Sequence, residues 1–234
     1  MIKTSLPYSR LRARLHHLHV ALSLAAFIAT SGAFAQSSDI AVSVTDDSGR
    51  GVEDAVVVAV PVEASARTAP SPKPDALDQI DKEFVPKVKV VVVGTPVTFP
   101  NKDAVRHHVY SFSGAKQFEL PLYAGVPTRP VVFDKPGVVI LGCNIHDWMV
   151  GHIYVSESPW FAKTGRDGKA VISGLSSQAY FVRVWHPQME EAEDLTRKKI
   201  DLGKVRHGEA AWAVKLKPEV RVRRAPAAVH GAHY

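Results

Sequence analysis

The apolar residues of this chain come in short, β-branched runs cut by turn residues, with scarcely a helical period anywhere. A chain written this way calls for an all-β fold of packed sheets. Residues 40–45 alternate, Asp46-Asp47-Ser48-Gly49 turns, and residues 55–60 return. Residues 88–93 form a continuous apolar strand, followed by the turn Gly94-Thr95-Pro96 and a strand at 97–99. Further strands are expected at 108–112, 128–133, 138–141 and 151–155, with Gly125-Val126-Pro127 and Asp134-Lys135-Pro136-Gly137 as the breaks. After Trp160, a hairpin at Arg166-Asp167-Gly168-Lys169 leads into strands at 170–172, 180–185 and 211–216, with one short helix expected within the charged stretch 189–197. Strands at this spacing with Pro and Gly turns argue for a β-sandwich.

The first 35 residues read as a leader rather than as fold. Lys3, Arg10, Arg12 and Arg14 make a basic start, residues 20–30 an apolar core too short to span a bilayer, and Ala33-Phe34-Ala35 a small-x-small signal. Cleavage between Ala35 and Gln36 is expected, with no membrane span afterwards and a periplasmic or secreted product. The leader holds four of the 29 Lys and Arg and none of the 23 acids. The remainder carries 25 bases against 23 acids, a net of +2, which removes the case for a nucleic-acid partner. Five segments follow: the leader at 1–35, a flanking sandwich from 36–61 and 160–217, a Pro/Ala/Ser-rich linker at 62–76, a metal-binding segment at 77–159, and a disordered basic tail at 218–234.

Chemistry concentrates in the metal-binding segment. The one cysteine, Cys143, opens Cys143-Asn144-Ile145-His146-Asp147-Trp148-Met149, and His107-His108 lies upstream on another expected strand. With one Cys no intramolecular disulfide forms, and a lone thiol in an oxidising compartment needs something to hold it. A thiolate, two imidazoles and a thioether are the donors of a mononuclear type 1 copper site, a His₂Cys plane with a weak axial Met. Structural zinc takes four closing ligands, usually with more than one Cys, and iron–sulfur clusters take several thiolates. The spacing Cys-x₂-His-x₂-Met lets one loop aim Cys143, His146 and Met149 inward, and a distant strand must then supply His107 or His108. Neighbours on a strand face opposite ways, so only one of that pair serves. No nucleophile elbow, His-x-x-x-His pair or Gly-rich phosphate loop is present, which points away from an enzyme.

These residues resemble the cupredoxin family, and amicyanin within it. The stretch Val97-Thr98-Phe99-Pro100-Asn101-Lys102-Asp103-Ala104-Val105-Arg106-His107-His108-Val109 is similar to the family's apolar strand, Asn, and ligand His six positions later. The resemblance assigns the ligand to His107 and gives Asn101 a hydrogen bond across to the Cys143 loop. Cys143-x₂-His146-x₂-Met149, followed by Gly151 and an apolar strand, resembles amicyanin's ligand loop. It implies a Greek-key β-sandwich, a single copper ion, and redox-protein partners such as a dehydrogenase and a c-type cytochrome. The flanks, with an Asp-x-Gly turn and a strand ending Trp185-His186-Pro187, resemble transthyretin-like or carboxypeptidase-regulatory-like sandwiches. The whole arrangement resembles exported methylamine-utilisation proteins. The expected function is single-electron transfer between periplasmic partners, with electrons leaving by the His146 edge. The alternatives are a periplasmic copper carrier or sensor, and a carbohydrate- or protein-binding β-module with a structural copper.

Overall fold

The computed structural model describes Met1, residues 37–63 and residues 71–218. The expected leader and its cleavage point, residues 64–70 of the linker, and residues 219–234 of the tail lie outside the described residues. In chain order the strands are β1 (Ser38–Asp46), β2 (Val56–Pro61), β3 (Asp75–Ala76), β4 (Asp78–Ile80), β5 (Glu83–Val85), β6 (Val88–Val92), β7 (Thr95–Thr98), β8 (His107–Ser113) and β9 (Lys116–Tyr123). They continue as β10 (Val131–Phe133), β11 (Gly137–Leu141), β12 (Gly151–Ser156), β13 (Phe161–Lys163), β14 (Lys169–Leu175), β15 (Ala179–Trp185), β16 (Lys198–Asp201) and β17 (His207–Val214). The chain is all-β, as its pattern requires. Where a short helix was expected in 189–197, a single 3₁₀ turn spans Glu193–Thr196. Its charged residues lack an apolar face on which to pack a longer helix.

The first and last strands build one pair of facing sheets. One has the order β14-β1-β17, the other β13-β2-β15-β16. Ile40, Val42 and Val44 from β1 and Ala210, Trp212 and Val214 from β17 meet Val57, Ala59, Tyr180, Val182 and Val184 in one core. The alternation of β1 and β17 is what sends these residues to one side. A glycine turn pins this pair. Gly168 has φ 72°, and a Cβ there would lie 2.1 Å from the Val44 carbonyl oxygen, so only glycine lets the Arg166–Lys169 turn approach β1.

The middle strands build a second sandwich. One face runs β9-β8, crosses to the residue after β11 through reciprocal bonds between Tyr110 and Gly142, and continues β11-β12-β6. The facing sheet is β10-β7-β3, with the β4–β5 hairpin joined to it through the Gln79–Asn101 bridge. β6 and β12 pair in parallel although some sixty positions separate them, so the chain crosses to the facing sheet and returns, as a Greek-key-type sandwich requires. Asp75 and Ala76, placed in the linker by sequence, instead pair with β7 as β3. Leu77, Phe84, Val97, Phe99, Phe133, Val109, Val139, Leu141 and Ile153 fill the space between the sheets.

A third apolar layer joins the two halves. β2 is buried on both faces: Val57 and Ala59 face the flank core, whereas Val56 and Val58 pack with Val88 and Tyr154 of the middle strands. That is why residues 56–59 read as a continuous apolar run rather than as an alternation. Each fully buried Val contributes about 1.5–3 kcal/mol, well above the roughly 0–1 kcal/mol of an exposed ion pair. Packing therefore dominates this contact. The strands all fall in one compact unit.

Candidate metal centre

The site forms at one end of the middle sandwich, where β8 begins and β11 ends. β8 alternates buried and half-buried residues from its first position, so His107 turns into the core with Val109 and Ser111 and is fully buried. His108 turns the other way. Its Nδ1 lies 2.9 Å from Asn144 Nδ2 and its Nε2 lies 2.9 Å from Glu119 Oε1. The reciprocal Tyr110–Gly142 backbone bonds, 3.1 and 3.0 Å, draw β8 alongside the residue preceding Cys143. Gly142 makes the approach close: a Cβ there would lie 2.6 Å from the Tyr110 ring, which would have to move aside.

Cys143 is 4% exposed, and its Sγ lies 3.9 Å from His107 Nδ1 and 3.9 Å from His146 Nδ1. One ligand atom from each of the three residues falls within 4.8 Å of the others. A first-row ion with bonds of about 2.0 Å to nitrogen and about 2.3 Å to sulfur in a trigonal plane would place sulfur and nitrogen roughly 3.8 Å apart. The observed separations match that spacing, so these donors fit one ion between them. The Met149 N–H donates to the His146 carbonyl at 2.9 Å, a tight turn that folds the ligand loop back on itself. Met149 is fully buried in the same apolar cluster as Cys143.

The two imidazoles differ in setting. His146 is half-buried, its ring 5.0 Å from that of His107 and 5.2 Å from that of Trp148. Burial first, then the nearby His107 and Lys82, holds His146 below the ordinary imidazole range, which keeps its ring neutral and available as a donor. The exposed side chains of Ile145 and Val150 belong to the same loop.

Two corrections to the sequence reading concern the surroundings. Asn101 makes no bond to the Cys143 loop among the described contacts. Its Nδ2 donates to Val105 O at 2.8 Å and to Tyr123 O at 3.0 Å, and its Oδ1 accepts from the Asp103 N–H at 2.9 Å. Both of its donated bonds, and the one it accepts, close its own loop and tie it to β9. The residue the sequence reading missed is Asp103, whose Oδ2 lies 2.7 Å from His107 Nε2. Burial alone would raise the Asp103 carboxyl, but the bonds from His107 and from the Lys82 and Asp81 amides hold it below the ordinary carboxylate value. A carboxylate placed four residues before a candidate ligand was the available signal.

The chain matches no protein-family model and no curated protein sequence. Among solved structures it is similar to the copper-containing nitrite reductase of Thermus scotoductus, with 31% identity, 42% of this chain covered and a TM-score of 0.35. That overlap spans 26% of the reductase, about a quarter of its length. It is also similar to a purple cupredoxin from Nitrosopumilus maritimus, at 27% identity over 35% of this chain and 96% of that one, TM-score 0.31. A reduced amicyanin variant matches at 22% identity over 43% of this chain and 98% of that one, TM-score 0.32.

Proposed function

We propose that this protein is a mononuclear type 1 copper electron carrier, not an enzyme. The observation that supports this most is the convergence of His107 Nδ1, Cys143 Sγ and His146 Nδ1 on one point, with buried Met149 in the same cluster. Cys143, His107 and His146 would hold the ion, and the Met149 thioether would be a further, weaker donor. Copper, when bound there, supplies a one-electron couple. The protein does the rest. Cys143 offers a sulfur donor held in an apolar core. His107 is sealed from water with its ring clamped by Asp103. His146 presents a half-exposed ring through which an electron passes from a reduced partner and on to an oxidised one, with no bond made or broken in the chain. A rigid donor set tolerable to both oxidation states keeps the reorganisation on transfer small.

Export to the periplasm through the leader, and partners such as a dehydrogenase and a c-type cytochrome linked to amine oxidation, complete the proposal. The test is the visible spectrum after stoichiometric Cu(II) is added. An intense band, bleached by ascorbate and lost in Cys143→Ser, is expected, because thiolate-to-copper charge transfer is the source of the colour. A pale wild type would overturn the reading.

A further inference from the structure

The β4–β5 hairpin supplies none of the donors, yet it touches both segments that do. Its turn residues, Asp81 and Lys82, sit at φ 53° and 59°, a left-handed pair that non-glycine residues adopt rarely. Their two successive amides end on one carboxylate. Asp81 N–H donates to Asp103 Oδ1 at 2.7 Å and Lys82 N–H to Oδ2 at 2.9 Å. The same Oδ2 is the atom 2.7 Å from His107 Nε2. On its other flank the hairpin presents Phe84 to Gly151, directly after the ligand loop. A Cβ on Gly151 would lie 2.8 Å from that of Phe84.

Asp103 is not needed to close its own loop. Asn101 already does that, through the Asp103 N–H and the Val105 carbonyl. The carboxylate is thus left to face the hairpin amides on one side and His107 on the other. We propose that the hairpin is the positioning element of the metal centre: its turn holds Asp103, and Asp103 fixes the proton of His107 on Nε2 so that Nδ1 faces Cys143 as a bare donor. Asp103 is a positioning residue, acting through His107. The identity of the ion rests on the copper reading above, but the clamp itself does not. A carboxylate behind a ligand imidazole raises its basicity, and its negative charge favours the more positive oxidation state.

Asp103→Ala and Asp103→Asn in the full-length protein test this. In Asp103→Ala, Cu(II) affinity should fall about 10–100-fold with Cu(I) affinity less affected. Each tenfold of that selective loss raises the reduction potential by about 59 mV for one electron. Asp103→Asn keeps an acceptor for His107 but loses the charge. It should recover most of the affinity while its potential still lies above wild type. In metal-free protein at a pH where the ring is neutral, ¹⁵N shifts should show His107 protonated at Nε2 in the wild type and as mixed tautomers in Asp103→Ala. If Asp103→Ala keeps the wild-type potential and tautomer, Asp103 only braces its loop and the proposal falls, whatever the change in stability. Should the alanine variant fail to fold, a wild-type potential in Asp103→Asn overturns it equally. A wild type that takes up no copper but shows the tautomer effect would sink the electron-carrier reading and leave the clamp standing.

Discussion

The two sandwiches bury polar side chains to different ends. On the flank two buried threonine hydroxyls are spent on backbone. Thr164 donates to Val52 O and accepts from Ala55 N–H, and Thr196 donates to Glu193 O and accepts from Val184 N–H. Each ties one strand or turn to its neighbour. In the middle sandwich the fully buried His107 has a thiol facing one nitrogen and a carboxylate facing the other, and neither partner is backbone. Buried polarity alone therefore does not mark a site. Buried side chains whose donor atoms converge on one another, as those of His107, Cys143 and His146 do, mark one.

The sharpest break of the comparison is at glycine. Gly168→Ala sets a Cβ against the Val44 carbonyl oxygen, 2.1 Å away, at φ 72°, where the backbone cannot give. A loss of about 4 kcal/mol is expected from strain and overpacking together. Gly142→Ala meets the Tyr110 side chain, which can swing, so about 1–2 kcal/mol is expected. Urea denaturation of both variants, with the visible absorption after Cu(II) addition read in each, checks the pair. Equal losses would mean that the flank turn is no more rigid than the metal end.

Acid should act on the contact between the halves. His152, beside Trp185 with ring centroids 5.9 Å apart, is pushed down to about 4, first by burial and then by His186. Folded protein thus refuses a proton that the unfolded chain takes near 6.5. Stability is undiminished above that value and falls by roughly 1.4 kcal/mol per pH unit between the two, roughly 3 kcal/mol in all. Comparing urea midpoints at pH 7 and pH 5 should show a smaller drop in His152→Gln than in the wild type. Identical drops would assign the acid sensitivity elsewhere.

A smaller effect than that of acid is expected at Tyr154, whose hydroxyl donates to Glu193, itself paired with Arg183 at 2.6 Å. Tyr154→Phe removes one bond to a charged group but leaves that group its arginine, so about 1.5 kcal/mol should be lost, with the copper spectrum unchanged. A shifted spectrum would show that the flank reaches the metal centre through β12.

The legible parts of this chain were local. Cys-x₂-His-x₂-Met was readable because one tight turn, closed by the Met149 N–H on the His146 carbonyl, sets its geometry. β15 and β1 were readable because each buries one face. β9 was missed: none of its residues is fully buried, and Pro121 interrupts the run in which Phe118 and Leu120 alternate. β4 and β5 were missed because two three-residue strands joined by Asp81-Lys82 carry too little apolar pattern. For Asp103 only its spacing from His107 was readable; what holds its carboxylate was not. Its partners come from that unread hairpin, some twenty positions upstream, and only the fold brings them together.

β13 pairs antiparallel with β2, Phe161 opposite Val58 and Lys163 opposite Val56, so the whole metal-binding half leaves and re-enters the flank at one hairpin. As a connection it is a loop of about a hundred residues, and closing one that long from a disordered chain costs about 4 kcal/mol in entropy. The cost vanishes when the inserted half is already folded, because its two ends then stand side by side. The pairing of β2 with β13 is therefore held partly by the folding of a region that lies outside the flank altogether.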